Sequence, residues 1–79
     1  MKLIQWFQQR EDRQMLKYAF QLTRATMPKV HGETRCLLLC SMRQLLREYN
    51  ETWGAQDGVA AFYNDELHRL IVINQEVCE

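Results

Sequence analysis

VAAFYNDELHRLIVIN, residues 59–74, is the stretch on which the fold class of this chain turns. Ile71, Val72 and Ile73 are three consecutive β-branched residues, a type that packs well on a pleated strand. Asn64 and Asp65 tolerate the positive φ angles of a two-residue hairpin turn, although Asn-Gly would signal it more strongly. Read this way, residues 59–73 form a C-terminal β-hairpin. The competing reading is a third helix, because Val59, Tyr63, Leu67, Leu70 and Ile71 also fall roughly at helical spacing. The hairpin is the preferred expectation.

Upstream of it the periodicity is helical. Over residues 34–50, Leu38, Leu39, Met42, Leu45, Leu46 and Tyr49 cluster on one face. Over residues 11–27, Met15, Leu16, Ala19, Leu22 and Met27 share a broad apolar side flanked by Tyr18 and Phe20, and Pro28 stops the segment. KVHGE reads as a loop pivoting on Gly32. NETWGAQDG reads as another, broken by Gly54 and Gly58, with Trp53 anchoring the helix exit. Residues 2–7 could continue the first helix, form a separate turn or make a short strand: Leu3, Ile4 and Phe7 suit a helical turn, and Trp6 fits it less well. A lone hairpin is marginal, so it needs the helices or a further strand against its apolar face. The expected architecture is one α+β domain over residues 1–79: two amphipathic helices, at about 11–27 and 34–50, then the hairpin.

The chain has 79 residues, 47% hydrophobic and 25% charged, the balance of a folded domain. At this size only about 60–65% of the unfolded surface is buried, so association with a partner or a second copy would add needed stability. The N-terminal MKLIQWFQQRED is too polar for a signal peptide or a membrane span, which points to a cytoplasmic protein without membrane contact. The odd number of cysteines, Cys36, Cys40 and Cys78, suits a reducing compartment better than a disulfide framework. Formal net charge is zero, yet it is unevenly spread. Residues 1–53 carry nine Lys/Arg and five Asp/Glu, a net of +4, and residues 54–79 carry one Arg and five acids, a net of −4. Such halves attract each other within a fold or across a head-to-tail dimer.

Candidate chemistry is sparse. Cys36 and Cys40 stand one helical turn apart, on a side that also holds Arg43 and Arg47 and lies opposite the leucine stripe. The leading reading makes them small buried residues under the N-terminal segment. If exposed, their arginine neighbours favour the thiolate and a redox role. A zinc site with His31, His68 or Cys78 lacks paired ligand spacing, so no metal is expected. The glycines are isolated, which leaves no phosphate-binding loop, and no nucleophile or acid sits at motif spacing from either histidine. Asp65 and Glu66 read as a solubilising turn tip rather than an acid/base pair. The chain is therefore expected to be neither an enzyme nor a cofactor carrier.

Arg10, Arg13, Lys17 and Arg24 fall within about 60° of one another on the side of the first helix away from its apolar stripe. With Trp6 and Phe7 near the chain start, they are the candidate partner-binding residues. The expectation is a small cytoplasmic regulatory or adaptor protein that binds an acidic protein surface, with a homodimer also conceivable. Neutral overall charge and an acidic last third make nucleic acid a weaker partner. A winged-helix-like regulator, with YNDELH as its wing, is the alternative, but its wing is acidic and its recognition helix leucine-rich. A thiol-based redox sensor is the lesser alternative.

Overall fold

The computed structural model describes residues 2–75, with side chains for residues 3–74. Three helices follow one another: α1, Lys2–Thr26; α2, Gly32–Trp53; and α3, Val59–Gln75. A 3-10 turn over Met27–Lys29, containing Pro28, joins α1 to the loop before α2. Residues 2–7 are thus the first turns of α1.

The α+β expectation is overturned: no strand occurs among the described residues, and the hairpin read at 59–73 is α3. Asn64 and Asp65 lie exposed in the middle of that helix rather than in a turn. The covered positions of α3 are Ala60, Leu67, Leu70 and Asn74, with Tyr63 half-buried. Their spacing brings them to one side of a helix. On a strand Leu67 and Leu70 would point to opposite faces. The β-branched residues resist helix by only about 0.5 kcal/mol each, and Val72 and Ile73 stay exposed, so they gain nothing from a sheet. Burial of the two leucines, worth about 1.5–3 kcal/mol apiece, outweighs that preference.

Glycine sets where the helices stop and start. Gly54 takes a φ of 83° and donates its N–H to Asn50 O at 2.8 Å, ending α2. Gly58, φ 71°, accepts from the Phe62 N–H at 2.9 Å and opens α3. A side chain at either position would be held at positive φ, at a cost of about 1–3 kcal/mol.

The chain reverses at each connection. Gln9 and Asp12 of α1 meet Tyr49 and Trp53 of α2 at one end, while Arg35 of α2 meets the ends of α1 and α3 at the other. The result is a three-helix bundle measuring 50 × 17 × 16 Å, in which α1 and α3 run in the same direction. Its core joins Leu16, Phe20 and Met27 to Met42, Leu46 and Tyr49 of α2 and to Ala60, Leu67 and Leu70 of α3. This corrects the apolar side read for α1. Met15 and Leu22 are 57% and 65% exposed, whereas the flanking Phe20 is buried. The helix is covered by two neighbours at once, so its core side centres on Leu16, Phe20 and Thr23.

One charged side chain closes the far end. Arg35, 8% exposed, donates to Met27 O at 2.6 Å, Val30 O at 3.0 Å and Asn74 O at 3.3 Å. It ties the 3-10 turn and the loop after α1 to the last turn of α3, whose end carbonyls lack helical donors. The other buried polar residues bond locally, Thr23 to Ala19 O and Asn74 to Leu70 O. Among the described residues no buried side-chain nitrogen or oxygen lacks a partner.

Candidate functional site

The basic side of α1 does not stand alone, because α3 runs alongside it. Between them lies an open groove of about 410 Å³. Arg10, Arg13, Gln14 and Lys17 of α1 form one wall, and Val59, Phe62 and Tyr63 of α3 form the other. Asp57 and Gly58, just before α3, close one end.

Three helices converge on Asp57. One carboxylate oxygen, Oδ2, accepts from the Tyr49 hydroxyl at 2.5 Å, Gln9 Nε2 at 2.9 Å and Arg13 Nη2 at 3.4 Å. The other, Oδ1, accepts the Val59 N–H at 3.1 Å and so holds the first turn of α3. Arg13 Nε also donates to the Tyr49 hydroxyl at 3.1 Å. Although the loop backbone is open, the Asp57 side chain is only 19% exposed. Partial desolvation pushes its pKa up, but the bonds from Tyr49, Val59 and Gln9 and the charge of Arg13 outweigh it, so the carboxyl sits below its ordinary range. Arg13 is held above its own ordinary value, chiefly by its bond to Tyr49.

The four basic residues read from the sequence therefore divide. Arg13 is a structural residue of the Asp57 cluster. Arg10 lies with its guanidinium carbon 5.5 Å from the centre of the Trp6 ring, and Arg24 lies 5.7 Å from that of Phe20. Among the described residues Arg10, Lys17 and Arg24 form no ion pair; the pairs present are Arg13 with Asp57 and Arg69 with Glu66. Arg10 and Lys17 face the groove, and Arg24 lies beyond it toward the C-terminus of α1. Trp6 and Phe7 are each half exposed and packed edge to face at 5.0 Å. Trp6 adjoins the groove through its contact with Arg10 and does not itself line it.

Sequence reasoning missed Phe62 and Tyr63, because a hairpin places them on a different surface, and Asp57, because it read only as part of the loop before it. The usable signal was the unbroken run of 17 residues in α3 without glycine or proline.

The cysteine expectation also changes. Cys36 and Cys40 are exposed on α2, not buried under the N-terminal segment, because α1 packs on the leucine side instead. Cys78 lies outside the described residues. Arg43 and Arg47 border a separate hollow between α2 and α3 and do not extend the α1 stripe. Among the described residues no group of three or more His, Cys, Asp or Glu side chains could hold a metal ion. No helix among them is long and apolar enough to cross a membrane.

Fold and site together define a small antiparallel three-helix bundle with a basic, aromatic-lined groove between its first and third helices. Comparison with protein-family models, with curated proteins and with solved structures finds no match.

Proposed function

We propose that this is a small cytoplasmic regulatory or adaptor protein that works by binding another protein, without catalysis, through the basic side of α1 and the aromatic residues at its start. One observation carries the reading. Arg10 and Lys17, without carboxylate partners among the described residues, line a groove whose opposite wall exposes Phe62. Cations beside an exposed ring suit a surface that others bind, where aromatic and Arg side chains supply most of the energy. The winged-helix alternative is not carried forward, since its wing was the hairpin that α3 replaces.

Photo-crosslinking in the protein's own cells tests the reading. A photoreactive residue is placed at Lys17, at Trp6, or as a control at Gln44 on the exposed side of α2. The expected result is discrete protein adducts from positions 17 and 6, reduced by Arg24→Glu, and none from position 44. Adducts to nucleic acid alone, or none from α1, contradict it.

A further inference from the structure

The groove is more selective than a basic surface. Arg13, between Arg10 and Lys17 in sequence, is committed to Asp57 and Tyr49, which leaves two cations without a carboxylate partner among the described residues, seven residues apart, about 10 Å along the helix axis. Facing them, Phe62 is 58% exposed. Its ring meets Tyr63 edge-on at 5.3 Å, and Tyr63 in turn lies 5.3 Å from Phe20 of the core. Phe62 thus rests against a ring that is itself packed on the core, with most of its own surface open to an occupant. The groove ends at the first turn of α3, where the helix dipole is positive. The Asp57 charge is balanced by Arg13. An occupant thus meets two cations on one wall, without carboxylate partners among the described residues, and an exposed ring on the other.

We infer that the groove receives an acidic segment of the partner protein, with one apolar side chain laid on Phe62 and flanking carboxylates reaching Arg10 and Lys17. A segment in the polyproline II conformation advances about 3.1 Å per residue and turns once every three residues, so acidic residues three apart share a face and span about 9 Å, close to the separation of the two cations. The inference rests on the protein-binding reading and adds the occupant to it.

The test uses the full chain and a short fluorescent peptide whose Leu-Trp pair is bracketed by glutamates three apart, followed by amide NMR and fluorescence anisotropy. Saturable shifts confined to residues 10–17 and 58–63 are expected. Lys17→Glu and Phe62→Ala, both at exposed side chains, each weaken binding about tenfold or more, since a reversed charge or a lost platform costs over about 1.4 kcal/mol. The same peptide with lysines for glutamates does not bind. No saturable shift, shifts elsewhere on the bundle, or indifference to both substitutions overturns the inference. If the titration is silent while crosslinking at positions 6 and 17 still yields protein adducts, the acidic occupant falls and the protein-binding reading stands. If those adducts are missing too, both fall.

Discussion

Asp57 joins all three helices through one carboxylate, and its charge state matters to the bundle. Its pKa is lower folded than unfolded, so its contribution is fully present above the unfolded value of about 3.9 and is lost as pH falls through the folded one. Asp57→Asn should therefore lower the melting temperature at neutral pH and flatten the loss of stability below about pH 4. An unchanged acid limb in thermal melts would show that the carboxylate is not coupled to folding. Tyr49→Phe removes the hydroxyl that both Asp57 and Arg13 use, and should cost about 1–3 kcal/mol in denaturant titrations. A second contrast lies on α1. Leu16→Ala empties a core position and should cost about 2–5 kcal/mol. Leu22→Ala acts on an exposed side chain and should stay within about 0.5 kcal/mol. The sequence placed Leu16 and Leu22 on one stripe, because six residues apart on a helix still reads as a broad apolar side. Only the docking of two partner helices decides which edge of that side is covered.

At the scale of elements, legibility followed covering. The leucine stripe of α2 was readable because one unbroken set of positions is buried: Met42, Leu46 and Tyr49, with Leu38, Leu39 and Leu45 packed beside them. The breakers Gly54 and Gly58 were readable because their role is local. α3 was not, because its most conspicuous residues, Val72 and Ile73, are exposed and carry no information about the core. Its informative ones, Ala60, Tyr63, Leu67 and Leu70, are scattered at helical intervals that a short apolar run disguises. The groove went with it, since half its lining comes from α3 or the turn before it. The helix has a direct test at those same residues. Val72→Ala and Ile73→Ala should each leave stability unchanged or raise it by up to about 0.5 kcal/mol, because alanine is the better helix former and little burial is lost. A loss above about 1 kcal/mol from either, measured by denaturant unfolding, would speak for a strand.

Across the whole molecule, the uneven charge of the sequence becomes a layout. The basic first half supplies one wall of a groove, and the acidic last third supplies Asp57, which neutralises only Arg13 of the cations on that wall. What remains is positive and apolar at once, on a bundle small enough to gain stability from being covered. The basic stripe itself was legible from helical spacing alone. That Arg13 would be consumed internally, and Arg10 and Lys17 left facing Phe62, depended on where α3 docks. A charge swap tests the resulting claim most directly. The wild-type protein and the double variant Arg10→Glu, Lys17→Glu are each titrated with the glutamate-bracketed peptide and with its lysine counterpart, following anisotropy at moderate salt. The wild type should bind only the glutamate peptide, and the double variant should lose it by about a hundredfold while gaining the lysine peptide. Equal affinities across all four pairings would contradict an electrostatically selective groove between α1 and α3.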